Sequence, residues 1–280
     1  MNDSARVVVI GTGPAAAATA VVLSEAGQQP LLLEAGSASA RLGLTARVRG
    51  LTLLKVRPSL ARRSNVTMTG DPQAELFEKL APGGLSNHWA CAVPRFSPDD
   101  FDDAARAGVE YTWPLGYADL APWYDRIEPL LHIAGATADA PSLPAGRIRD
   151  RWSLAPEWEA LARQVSTHAR DLLAMPYAYG SETILTRSAT AFNAYTRLIK
   201  PSLKRGRLSV RYDTHAERLE WSNTEQRVVA VHCRDTRTGA SLRIACGAVV
   251  LAAGAVNSAR ILLESTSAEF PDGLGNRHGV

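Results

Sequence analysis

The chain has 280 residues, 46% hydrophobic and 21% charged, a composition that belongs to a folded globular protein and excludes a disordered one. Its 31 basic and 28 acidic side chains leave a net charge of +3, too weak a field to point to nucleic acid or a membrane surface. No run of about 18 apolar residues occurs, and Cys91, Cys233 and Cys246 form no CxxC pair, so the expectation is a cytoplasmic protein with reduced thiols, no membrane span and no metal site.

The first 36 residues change composition twice at glycines. Arg6 to Ile10 is a β-branched run suited to a strand buried on both faces, Pro14 to Ala26 suits a helix with Gly27 as its cap, and Leu31 to Glu34 reads as a second buried strand. Strand, helix and strand at this spacing make a parallel crossover unit. Its first turn carries Gly11, Gly13 and Ala16 as GxGxxA, with Pro14 directly after Gly13. Gly11 permits the tight turn, Gly13 admits a pyrophosphate to the backbone, and Ala16 keeps helix and strand close. Glu34, at the end of the second strand, is placed to accept hydrogen bonds from a ribose. The fingerprint therefore predicts a bound dinucleotide, with a tight turn lacking a ligand as the alternative.

NAD and FAD share this fingerprint. The next parallel-strand candidate, in GAVVLAAGAVNSARILLE, begins at Gly247, and the intervening stretch of about 200 residues is far too long for a simple crossover. Such an interruption favours FAD, as does the ending LLLEAG. Within the interruption, residues 83–96, GGLSNHWACAVPRF, fall where no regular element is predicted. Their two glycines allow close backbone approach, Ser86 and Asn87 offer hydrogen bonds, and His88 and Trp89 could meet a planar ring. Tyr117 to Ile133 predicts a core-facing helix through Leu120, Tyr124, Ile127 and Leu131, with Asp119 as its cap and His132 structural. Ala134 to Arg147 reads as a linker. Trp158, Leu161, Val165 and Leu172 predict a second amphipathic helix starting at Pro156, with His168 on its surface or in packing. Lys200, Lys204, Arg205 and Arg207 read as a solvated helix end. From residue 208 the runs RLSVRY, AERLEW, RVVAVHCRD and SLRIAC predict a β-meander before the buried strand AVVLAAG. There Ala252, Ala253 and Gly254 would bring small residues to the dinucleotide, and Asn257 or Ser258 could cap the next helix.

The combination of GxGxxA, GGLSNHW, WPLGYADLAPWY and VVLAAGAVNSARILLES resembles the glucose-methanol-choline (GMC) oxidoreductase family of FAD enzymes. GGLSNHWACAVPRF is most similar to the pyranose oxidase branch and its bacterial relatives. The resemblance implies an FAD-dependent alcohol oxidoreductase acting on a sugar or glycoside hydroxyl, with hydride passing to flavin and then to oxygen or a quinone-like acceptor. It places Gly84, Ser86, Asn87 and His88 near the flavin, and makes His88 a candidate for a covalent link to the ring. The sequence departs from that branch at Ala90, where pyranose oxidases carry threonine, and the link stays open. Asn193 and Tyr195 match a region that contributes to the substrate domain. The family's catalytic histidine and last nucleotide-fold strand have no counterpart here, so the chain resembles an N-terminal half, with a separately encoded C-terminal half as one reading.

The fold class expected is α/β: an FAD-binding Rossmann-like (βαβ) domain from residues 1–36 and 205–280 with an inserted β-meander, a flavin-contacting insertion at 37–134, and a linker with a partial substrate-domain segment at 135–204. Two rival functions remain, a truncated non-catalytic nucleotide-fold module and an NAD-dependent enzyme.

Overall fold

The structure, a computed structural model, describes residues 6–38, 62–63, 77–87, 89, 91–108, 112–135, 144–148, 150–151, 155–165, 175–180 and 190–276. The chain forms two compact units, Met1–His88 with Asn193–Val280, and Trp89–Phe192.

The first unit opens with β1 (Val7–Ile10), α1 (Pro14–Glu25) and β2 (Leu31–Leu33). β1 and β2 pair in parallel, with Val8 opposite Leu31 and Ile10 opposite Leu33. Proline at the first helical position gives up no hydrogen bond, and alanines at 16, 17 and 20 are buried, so α1 can approach its neighbours closely. The helix ends one residue earlier than its composition suggests, and Gly27 follows at φ +79°, a conformation that costs other residues a steric clash. Two short strands, β3 (Arg62–Arg63) and β4 (Phe77–Glu78), pair antiparallel. A 3₁₀ turn, Gly84–Asn87, stands where no regular element is predicted.

The second unit contains a 3₁₀ turn (Pro98–Phe101), α2 (Asp103–Arg106), α3 (Tyr117–Leu131), β5 (Ile133–Gly135), β6 (Asp150–Arg151), α4 (Pro156–Val165), β7 (Tyr177–Gly180) and β8 (Thr190–Ala191). The strands form one sheet in the order β6-β5-β7-β8. Trp89 Nε1 donates to the carbonyl of Phe192 at 2.7 Å, tying the two ends of the unit together. Ala134 and Gly135 belong to β5 rather than to a linker, because Ala134 pairs with both Asp150 and Tyr177.

Two helices here depart from the sequence expectation. In α3 the N-cap is Gly116, and Asp119 acts from the third helical position, its Oδ2 accepting the Gly116 N–H at 2.8 Å. Its one buried side chain is Glu128, which takes Arg95 in a two-pronged ion pair, Nε to Oε1 at 2.6 Å and Nη2 to Oε2 at 2.7 Å. The Arg147 N–H donates to the same carboxylate at 2.6 Å, and Arg95 also reaches Asp125 and Tyr117. In α4 the apolar stripe is present but not buried: Trp158 is 55% exposed, Leu161 40% and Val165 48%. Leu172 and His168 lie outside the described residues.

The chain re-enters the first unit through a π-type turn (Tyr195–Ile199) and α5 (Lys200–Lys204), which ends in exposed Lys204, Arg205 and Arg207. It then forms β9 (Ser209–Arg211), β10 (Thr214–Ser222), β11 (Arg227–Asp235), β12 (Ser241–Ala245), β13 (Ala248–Leu251) and α6 (Ala255–Glu264). The parallel sheet has the order β13-β1-β2-β9, and the meander the order β10-β11-β12. β9 therefore joins the parallel sheet, while the other expected strands fall where the alternation places them. Arg243 makes two 2.8 Å bonds to Glu220, and His232 Nε2 lies 2.7 Å from it, so one residue from each meander strand locks the register. The Arg243 guanidinium holds the Glu220 carboxyl down at about 2.

Val8, Ile10, Leu31 and Leu33 project from one face of the sheet into a core shared with Leu219, Val231, Cys233, Cys246 and Ile261. Each such aliphatic side chain contributes about 1.5–3 kcal/mol on burial. Ser265 fastens the layers, accepting the Leu219 N–H at 2.7 Å. Cys91, Cys233 and Cys246 are buried and free, and burial pushes the Cys233 thiol up to about 12. Among the described residues no helix is long and apolar enough to cross a membrane.

Because Arg95 and Glu128 are both buried, removing one strands the charge of the other. Arg95→Ala is expected to destabilise the second unit by about 3–5 kcal/mol in urea unfolding, and Arg95→Lys to restore only part, since lysine lacks the two-pronged geometry.

Candidate functional site

The C-terminal ends of β1, β2 and β13 open into a cavity of about 380 Å³ within the first unit, a size in the lower range of small-molecule sites. Four stretches of sequence make its walls. Residues 11–14 come from the β1–α1 turn, Glu34 and Ala35 from the end of β2, Gly84 and Leu85 from the 3₁₀ turn, and residues 252–257 from the turn after β13. Lys79 and Leu80, Thr214, His215 and Ala216 at the start of β10, and Arg260 and Ile261 of α6 also line it.

Close packing of backbone makes this convergence hold. Gly11 has φ +110°, and a Cβ there would stand 2.4 Å from the Ala252 carbonyl oxygen. Its N–H donates to Leu33 O at 2.9 Å, while the Ala252 N–H donates to Ile10 O at 3.0 Å. Gly13 differs: a Cβ would meet nothing within 4 Å, and the space it leaves open belongs to the cavity. Gly13 also caps α1 without any side-chain hydrogen bond, so the helix presents bare N–H groups and the positive end of its dipole. An anion is the natural complement of such an end.

Glu34 is 5% exposed and held by its own chain. The Thr12 hydroxyl donates to Oε2, and the Gly36 N–H donates to Oε1 at 2.7 Å. Thr12, 1% exposed, in turn accepts the Gly83 N–H at 3.0 Å. Burial raises the Glu34 carboxyl above its ordinary value of 4.5, with Thr12 and Gly36 opposing the shift.

Of the residues singled out from sequence, Gly11, Gly13, Pro14, Glu34, Gly84, Ala253, Gly254 and Asn257 line this one cavity. Ala16, Ser86 and Asn87 do not. Ala16 is fully buried in helix packing. Ser86 donates to Gly83 O at 2.6 Å and accepts the Ala194 N–H at 3.1 Å. Asn87 donates to Gly84 O at 2.7 Å and accepts from Asn193 Nδ2 at 2.9 Å. Both therefore shape the turn that carries Gly84. His88 and Ala90 lie outside the described residues. Tyr195 is 1% exposed with its hydroxyl bonded to that of Tyr212, so it packs in the core of the unit. Gly254 precedes α6, so the helix cap falls there rather than at Asn257. Thr12, Thr214, His215, Ala216 and Arg260 were not singled out. Thr12 occupies a variable place in the fingerprint, and Arg260 is brought in by the bulge between Ala216 and Arg218, donating to Ala216 O at 2.9 Å. Among the described residues no group of three or more His, Cys, Asp or Glu could hold a metal.

An uncapped helix end, an open glycine beside it and a buried carboxylate at the neighbouring strand end fit the pyrophosphate and ribose of a dinucleotide. Residues 106–277 match the family model described as GMC oxidoreductase. The chain belongs to the GMC oxidoreductase family. The cofactor of this family is FAD. This GMC chain is 28% identical over 305 residues to a 2-methyl-1,2-propanediol dehydrogenase of Mycolicibacterium austroafricanum, covering 99% of the chain and 54% of that protein. It is 29% identical over 300 residues to a 6'''-hydroxyparomomycin C oxidase of Streptomyces lividus, covering 96% and 52%. The chain spans about half the length of the curated relatives it matches. Among solved structures, pyridoxine 4-oxidase from Mesorbium loti shares its fold with TM-score 0.61 at 18% identity, over 93% of this chain and 52% of that one. An FAD-dependent oxidoreductase from Chaetomium thermophilum does so with TM-score 0.62 at 16% identity, over 92% and 47%.

Two outcomes follow from the geometry. Gly11→Ala is expected to lower the melting temperature sharply through the clash with Ala252, whereas Gly13→Ala leaves the melting temperature of the cofactor-free chain nearly unchanged. For Glu34, the folded chain keeps the proton to higher pH than the unfolded chain does. Its contribution to stability therefore falls as pH rises from 4.5 toward the raised folded value, and Glu34→Gln removes that fall from the pH profile of urea unfolding.

Proposed function

We propose that this chain is the cofactor-binding part of an FAD-dependent oxidoreductase that acts on CH–OH groups of small molecules. The observation that carries the reading is the meeting of Gly13, Glu34, Gly84 and Gly254, from four distant stretches, around one cavity in a chain of this family. Bound FAD supplies the acceptor for hydride from the carbon being oxidised. The N–H groups at the start of α1 take the pyrophosphate, with Gly13 leaving the room and Pro14 setting the first helical turn. Gly11 lets the turn pass against Ala252, and Ala16 keeps helix and strand close enough for that approach. Glu34 accepts from the ribose hydroxyls, while Ala253, Gly254 and Asn257 form the opposite wall. Ser86 and Asn87 hold the turn that presents Gly84, and His88, next in sequence, is the proposed flavin-linked residue.

A sugar or glycoside hydroxyl is the finer reading of the substrate, supported by GGLSNHWACAVPRF and by the hydroxyl compounds in the relatives' names. Oxygen or a quinone-like molecule is the proposed final acceptor. The three buried, free cysteines support a cytoplasmic location.

Titration of the purified chain with FAD is expected to quench flavin fluorescence at one equivalent, and NAD to leave the protein unaffected. Gly13→Ala weakens FAD binding by about tenfold or more, through lost close approach to the pyrophosphate. A folded chain that takes up no FAD overturns the reading in favour of a non-catalytic nucleotide-fold module. Colour that stays with acid-precipitated protein and is lost in His88→Ala supports the flavin link; colour released to the supernatant removes it.

A further inference from the structure

Thr12 fills a place in GxGxxA for which the fingerprint itself demands no side chain, yet it is among the most buried polar residues described. A hydroxyl has one proton to give and lone pairs to accept with. Here both capacities are used between separate stretches of sequence: the Gly83 N–H fills the acceptor at 3.0 Å, and the proton goes to Glu34 Oε2. The Gly36 N–H approaches Oε1 at 2.7 Å, so each oxygen of this carboxylate accepts one bond from a described residue. Each oxygen keeps a further lone pair for a ligand hydroxyl.

The other end of the network is equally constrained. Gly83 has φ +97°, and a Cβ there would lie 3.0 Å from Asn193 Nδ2 and 3.2 Å from Ser86 Oγ, so the turn closes on a residue without a side chain. Gly84, the next residue, lines the cavity beside Glu34. A shift of the carboxylate is thus passed through one oxygen atom to the turn at 83–87.

We infer that Thr12 is a positioning residue for the cofactor: its hydroxyl holds the Glu34 carboxylate ready for the ribose and joins it to the Gly83–Asn87 turn, so that cofactor capture and turn order are coupled. The inference rests on the FAD reading above. Valine preserves the shape of threonine and removes the hydroxyl, while serine keeps the hydroxyl and removes the methyl group, so the two variants separate positioning from packing.

Two measurements test it. In the cofactor-free chain, carboxyl ¹³C NMR should show the Glu34 titration moved upward in Thr12→Val and unmoved in Thr12→Ser. FAD titration should then show binding weakened about tenfold in Thr12→Val, in line with loss of a hydrogen bond to a charged group, and restored in Thr12→Ser. An unmoved Glu34 titration in Thr12→Val overturns the inference, as does a Thr12→Ser variant impaired as badly as Thr12→Val. Failure of the wild-type chain to take up FAD overturns the cofactor role together with the FAD reading. Uptake by wild type with an indifferent Thr12→Val overturns the Thr12 role alone.

Discussion

The close crossing of Gly11 and Ala252 is the constraint on which the first unit depends. Only a residue without a side chain lets the end of β1 pass against the backbone that follows β13, and the bonds from Gly11 to Leu33 and from Ala252 to Ile10 clamp three strand ends at one level. With the strand ends fixed, the start of α1, the tip of β2 and the turn before α6 must face one another. The cavity is the space between them, lined largely by apolar and backbone surface, with the Glu34 carboxylate and the side chains of Lys79, His215 and Arg260 among its walls.

Glu34 illustrates how such a site meets the cost of burying an acid. Taking a carboxylate out of water raises its proton affinity, and the two donors supplied by Thr12 and Gly36 oppose that rise. The second unit uses a different solution to the same problem. Arg95 and Glu128 are buried together as a two-pronged pair, with Asp125, Tyr117 and the Arg147 backbone occupying remaining donors and acceptors. In one case the acid lines the cavity, and in the other it is consumed by the fold.

Much of the first unit was legible because its signals are local. A β-branched run, an alanine-rich stretch and a leucine run bounded by glycines mark β1, α1 and β2, and alternation at residues 229–233 marks the centre of the meander. The GxGxxA turn and Glu34 were readable because dinucleotide binding imposes residue types at fixed spacing. The second unit resisted reading where partners lie far apart in sequence. In α3 the apolar period was visible, but the buried Glu128 makes sense only with Arg95 and Arg147 beside it. In α4 the period was equally clear, yet Trp158, Leu161 and Val165 remain exposed, because periodicity states which face could be buried and not whether a neighbour covers it.

Taken alone, the sequence determined the element types of the nucleotide-binding portion, the order of its parts and the residues that must stay small. Those follow from backbone sterics and from a repeat period of side chains along the chain, both of which act over a few residues. The tertiary structure alone decided that β9 pairs with β2, that Ser86 and Asn87 brace a turn rather than line the cavity, and that Thr12 bridges Glu34 to Gly83. Hydrogen bonds between residues 71 and 108 positions apart depend on where folding brings each donor and acceptor, and no local pattern in the chain encodes that meeting.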